Sequence, residues 1–217
     1  MRSNKSYLVT ILLSTVSTLL LIGNGTAQSS PSAAAAKEYK RLVNLQTALV
    51  KIPMARQDKE PHRSFLKRND RDIVYSDPAG EWYVRSRRFW DLAAKYRELP
   101  IADKIAWSAA ENQLPGECEG YVPCYLSVIR ITYGEYLTRF PKGAYRKRAM
   151  QEMTISFTRI ADDAASTKRN YDGPTESGDQ AEFLKAVREL RNILTKVPKP
   201  DAAKALSKLK LLEGSYR

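Results

Sequence analysis

From residue 37 onward the apolar residues of this chain recur three or four positions apart, and the runs are cut by prolines. That spacing is the period of a helix burying one face, and proline is the residue that ends one. Over residues 37–50, Tyr39, Leu42, Val43, Leu45, Leu49 and Val50 share a helical face, which Pro53 closes. Asp77-Pro78 predicts a helix start, with Asp at the N-cap and Pro in the first turn. Trp82, Phe89, Ala93 and Tyr96 predict its buried face, and Trp82, Trp90 and Trp107 are expected in the core. Ile101, Ile105 and Ala109, with Ala102, Ala106 and Ala110, predict a short helix with a narrow face suited to close packing. Further runs carry Leu126, Ile129, Tyr133, Tyr136, Leu137 and Phe140, and then Ala149, Met150, Met153, Phe157, Ile160 and Ala161. Two last runs carry Phe183, Leu184, Val187, Leu190, Ile193 and Leu194, and, after Pro198 and Pro200, Ala202, Leu206, Leu209 and Leu212.

Residues 55–72 are highly charged and contain Pro61, which predicts a loop or a frayed helix. Ile73-Val74-Tyr75 is the one plausible strand. The expected class is therefore all-α, with about seven helices whose short connections predict stacked antiparallel hairpins. An irregular solenoid and a bundle both satisfy that pattern.

The first residues address the chain. Arg2 and Lys5 precede an uncharged, largely apolar stretch over residues 8–22, followed by Gly23-Asn24-Gly25-Thr26-Ala27. A positive start, an apolar middle and small residues at the end are the three parts of a secretory signal peptide. Residues 1–27 are read as that leader, 28–36 as a flexible Ser/Ala-rich lead-in, and 37–217 as a single helical domain. The expected location is the periplasm or the medium.

Net charge is +12. A surplus of this size favours negatively charged partners, such as a phospholipid head group, an anionic wall polymer or an acidic protein. Export argues against nucleic acid as a ligand. Cys118 and Cys124 are the only cysteines. Two neighbouring cysteines in an exported chain predict a disulfide. Their spacing is not the C-x-x-C of a thiol oxidoreductase, and with only one histidine, His62, far away in sequence, zinc lacks ligands. No metal and no cofactor are expected.

The stretch Gly134-Glu135-Tyr136-Leu137-Thr138-Arg139-Phe140-Pro141-Lys142-Gly143-Ala144-Tyr145-Arg146-Lys147-Arg148-Ala149 resembles a helical-repeat junction of tetratricopeptide-like proteins of the bacterial envelope. Phe140-Pro141 would end one helix, and Gly143, Tyr145 and Ala149 would let the next pack against it. The resemblance covers residues 121–157, with no ~34-residue period through the chain. It implies one or two degenerate repeats and a groove that binds another protein or peptide without catalysis.

The local sequence Gly116-Glu117-Cys118-Glu119-Gly120-Tyr121 stands out. A stapled turn there would present Glu117, Glu119, Tyr121 and Tyr125 to a partner, and Tyr145 would join them from the repeat junction. The chain is thus expected to be an exported, non-catalytic helical scaffold for an envelope protein or peptide. A second reading is a basic protein held on anionic wall polymer or membrane surface. A third is a wall-active hydrolase using Glu117 or Glu119, since paired carboxylates can cleave a glycosidic bond.

Overall fold

The computed structural model describes residues 30–116, 118–168 and 177–216. The leader expected over 1–27, Glu117, and most of the loop expected over 170–178 lie outside the described residues. Helix α1, Pro31–Leu49, opens with Ser30 as N-cap, whose hydroxyl accepts from Ala33 N at 3.3 Å, and with Pro31 in the first turn. The lead-in expected to be flexible is therefore helical from Pro31, because a cap and a proline precede four alanines. Ala35, Leu42, Leu45 and Leu49 form the buried stripe of α1.

The charged segment folds into a single 3-10 turn, Met54–Arg56, and a short helix α2, His62–Arg68. Strand β1, Ile73–Ser76, then pairs antiparallel with β2, Glu81–Val84, in the register Ile73↔Val84 to Ser76↔Glu81. The helix expected to open at Asp77-Pro78 is a correction. Asp followed by Pro starts a β-turn as readily as a helix. Here Gly80, at φ +64°, ends the turn, and Trp82-Tyr83-Val84 supplies aromatic and β-branched strand formers. The helix begins later, as α3, Ser86–Lys95.

Helix α4, Ile101–Glu111, packs on α3 through the expected small face, with Ala102, Ile105, Ala106, Ala109 and Ala110 buried. Helix α5, Val122–Ile129, runs through a π turn, Arg130–Gly134, into α6, Glu135–Arg139. A Cβ on Gly134 would lie 3.2 Å from Ile193 Cδ1 and 3.3 Å from Ile129 O, so glycine allows the next layer to approach the π turn. That layer is α8, Ser177–Leu194, which packs on α5 and on α9, Lys199–Tyr216. Helix α7, Arg146–Lys168, lies chiefly along α9, and Arg146 pairs with Asp201 at 2.8 Å where both helices start.

The result is an all-α helical bundle carrying one β-hairpin. One apolar cluster runs from Leu42 in α1 to Leu212 in α9. Of the three tryptophans expected in the core, Trp107 is fully buried, whereas Trp82 and Trp90 are half-buried. Trp82 keeps its indole N–H bonded to Gln57 Oε1 at 3.1 Å, and Trp90 lies 4.9 Å beneath the Arg139 guanidinium. Asp72 is buried between Arg41 Nη1, at 2.7 Å from Oδ2, and Arg88 Nε, at 2.6 Å from Oδ1. The Arg88 contact is close but off the hydrogen-bonding line, so charge rather than an aligned bond holds Oδ1. Among the described residues no helix is long and apolar enough to cross a membrane.

Candidate functional site

The stapled loop is tied inward. Cys118 and Cys124 are disulfide-bonded, with Cα atoms 5.5 Å apart. Glu119 and Gly120 both take positive φ, at 46° and 86°, and Tyr121 N donates to Cys118 O at 2.6 Å. This reverses the chain just ahead of α5. The Tyr121 hydroxyl donates to Glu182 Oε2 at 2.8 Å, with Asp179 Oδ1 a second acceptor at 3.2 Å, both in the first turns of α8. The Glu182 bond, then desolvation, then Asp179 hold that hydroxyl well above the ordinary tyrosine range. Tyr121 therefore fastens the loop to α8, and Glu119 is exposed on the turn.

Tyr125 leads to a cleft instead. It lies on the α5 side of a cavity of about 280 Å³ between the α5–π segment and α7. Tyr125, Val128, Ile129, Thr132 and Tyr133 form one wall, at the helical spacing that puts them on one face. Glu152, Ile155, Ser156, Arg159 and Ile160 form the other wall with the same spacing, and Gln113 closes one end. Thr132 turns its hydroxyl back to Val128 O at 2.7 Å, which leaves its methyl side for the wall. Burial first, and the charges of Glu152 and Glu111 second, push the Tyr133 hydroxyl above its ordinary value.

Ile155 is 53% exposed, an apolar side chain presented at the rim. Arg159 has no ion pair among the described residues. A second, more open groove lies across α7, walled by Thr154, Thr158, Asp162 and Asp163 and by Lys204 and Lys208 of α9. Ile155 and Arg159 border both depressions, so they stand on the ridge between them.

Tyr145 belongs to the neighbouring aromatic cluster. Its ring stacks on Trp107 at 5.3 Å and 1°, and Trp107 also stacks against Tyr133 at 5.9 Å. The Arg148 guanidinium sits 5.3 Å from the Trp107 ring and pairs with Glu111 at 2.7 Å. The indole N–H of Trp107 is buried and has no hydrogen-bond acceptor among the described residues. Tyr145 thus supports the cleft from behind, through Trp107 to Tyr133, rather than lining it.

The structure brings Tyr125 into the cleft and Tyr145 behind it, but leaves Glu119 and Tyr121 on the stapled loop, outside the cleft lining; Glu117 is outside the described residues. Tyr133 was expected only as part of a helical face, and Glu152, Ile155 and Arg159 were not singled out by sequence. The available signal was an isoleucine interrupting the polar face of α7. Among the described residues there is no group of three His, Cys, Asp or Glu side chains able to hold a metal ion. His62 is half-buried at the start of α2. Comparison with protein-family models, with curated proteins and with solved structures finds no match to this chain.

Proposed function

We propose that this protein is an exported, non-catalytic binding protein that seats an apolar side chain of a peptide segment from another envelope protein between α5 and α7. The observation that carries the reading is the pair of matched helix faces, with Tyr125, Val128, Ile129 and Tyr133 opposite Ile155 and Ile160. A cavity of about 280 Å³ lies just below the ~300–1,000 Å³ usual for small-molecule pockets. It suits an anchoring side chain better than an enclosed metabolite. Gln113, Glu152 and Arg159 supply polar groups on its walls for the peptide that carries the anchor.

The resemblance of the Phe140-Pro141 stretch to a tetratricopeptide-like junction supports a scaffold role, and the disulfide supports an oxidising compartment. The test is site-specific photo-crosslinking in cells, with the reactive residue at Ile155 and, as control, at exposed Lys185. One protein captured from Ile155, retained through a high-salt wash and lost in a Tyr133→Ala background, is the expected result. Equal capture from Lys185, or release of everything by salt, would sink the reading.

A further inference from the structure

The two most exposed large apolar side chains among the described residues stand four positions apart, Val50 at 63% and Met54 at 64%. They flank Ile52, which is buried and anchors the segment where α1 ends. Gln57 fixes the other end, donating its amide to Gly80 O at 2.9 Å and accepting from Trp82 Nε1 at 3.1 Å. The sulfur end of Met54 lies against the Gly80 turn of the hairpin. The apolar pair is therefore presented by an anchored segment and not by a fraying helix end.

Cations surround it. Lys51, Arg56 and Lys59 are exposed and have no ion pair among the described residues. From residue 51 to 72 there are seven Lys and Arg against four Asp and Glu. Two of those four acids are already engaged, Glu60 by Arg63 and Asp72 by Arg41 and Arg88. Asp58 and Asp70 remain on this segment and Asp77 and Glu81 on the adjoining hairpin turn, against Lys51, Arg56, Lys59, Lys67, Arg68 and Arg71, so the surface stays positive. Just behind the pair, the half-buried rings of Tyr75 and Trp82 meet at 5.2 Å, amphipathic side chains of the type that suits a water–lipid boundary.

A soluble polyanion would satisfy Lys51, Arg56 and Lys59 but would offer nothing to Val50 and Met54. An apolar protein groove would do the reverse. A bilayer with negative head groups meets both demands, because phosphates lie outside and acyl chains beneath. We propose that residues 50–59 dock on an anionic phospholipid surface, with Val50 and Met54 entering the head-group boundary and the three cations on the phosphates. The cleft is built from α5, the π turn and α7 and shares no lining residue with this segment.

The experiment is co-sedimentation of the protein, as recovered from an expression host, with phosphatidylcholine vesicles with and without phosphatidylglycerol. The expected result is binding that requires phosphatidylglycerol and falls at least about tenfold in Lys51→Glu/Arg56→Glu/Lys59→Glu. Val50→Ser/Met54→Ser, which leaves the charge unchanged, should weaken it by about tenfold as well. Reversing three exposed cations elsewhere, Lys185→Glu/Lys199→Glu/Lys210→Glu, should cost far less. Equal loss from both triple reversals would mean non-specific attraction and overturn the proposal. So would unchanged binding of the serine pair, which would make the surface a polyanion site, or equal binding to neutral vesicles. Should reversal disturb the fold, as read by circular dichroism, the corresponding glutamines repeat the test.

Discussion

The Tyr136 hydroxyl donates to Asp103 Oδ1 and accepts from Tyr145 N at 3.0 Å, so one buried phenol joins α4, α6 and the start of α7. The second carboxylate oxygen of Asp103 accepts from Ala144 N at 2.6 Å. The backbone that turns between α6 and α7 is thus hydrogen-bonded to side chains of the preceding helices. Tyr136→Phe removes a donor to a carboxylate and an acceptor for a backbone N–H. It should cost about 1–3 kcal/mol. Urea unfolding would show a lower midpoint with an unchanged slope.

Gly143 owes its identity to the same bond. A Cβ there would fall 2.3 Å from the Tyr136 hydroxyl, 2.7 Å from Asp103 Oδ1 and 2.9 Å from Phe140 Cβ. Gly143→Ala should destabilise by about 1–3 kcal/mol through overpacking. Combined with Tyr136→Phe, which removes the nearest atom, the losses should be less than additive. A double-mutant cycle by urea unfolding measures the coupling, and strict additivity would contradict the contact.

Burial first, and the bond to Asp103 second, hold the Tyr136 hydroxyl well above its ordinary value. The folded state therefore binds this proton more tightly than the unfolded chain does. Its contribution is intact below the unfolded value of about 10 and is lost as pH rises from there toward the folded value. Wild-type stability should decline from about pH 10 upward. Tyr136→Phe should be weaker at pH 8 yet decline less steeply. Thermal melts across the alkaline range would expose parallel slopes if the assignment were wrong.

How much of this was legible without coordinates follows from which forces were local. The stripes of α1, α4 and α7 were readable because each repeats at 3.6 residues, and Leu42, Leu45 and Leu49 or Met153, Phe157 and Ile160 need only one partner layer to be buried. The hairpin was misread because Asp77-Pro78 carries the same local signal for a turn and for a helix. The choice was made by distant groups, including Gln57 on the carbonyl of Gly80. The disulfide was readable from the nearness of two cysteines in a chain expected to be exported. The cleft was not, since Tyr133 and Ile155 are ordinary helix residues until a π turn sets one wall opposite the other.

The staple at Cys118 and Cys124 should matter to stability. Cys118→Ser/Cys124→Ser should cost about 2 kcal/mol on the chain-entropy account. Wild type in reductant should melt with the double variant, and oxidised wild type above both. Tyr121→Phe, which releases α8 from the loop, should cost about 1 kcal/mol in either redox state. A melting temperature indifferent to reductant would exclude a structural role for the bond.

Val84, at the end of β2, has its backbone N–H bonded to Gln46 Oε1 at 2.7 Å and its carbonyl to the Asn112 side-chain amide. Gln46 of α1 and Asn112, the C-cap of α4, therefore complete with their side-chain amides the ladder positions a third strand would otherwise fill. A two-stranded ribbon with a free margin invites further chains to add to it. In this molecule the Val84 end of that margin is closed from within. Gln46→Ala and Asn112→Ala would therefore do more than remove two contacts: they would strand both main-chain groups of a wholly buried residue, away from water and from any other strand.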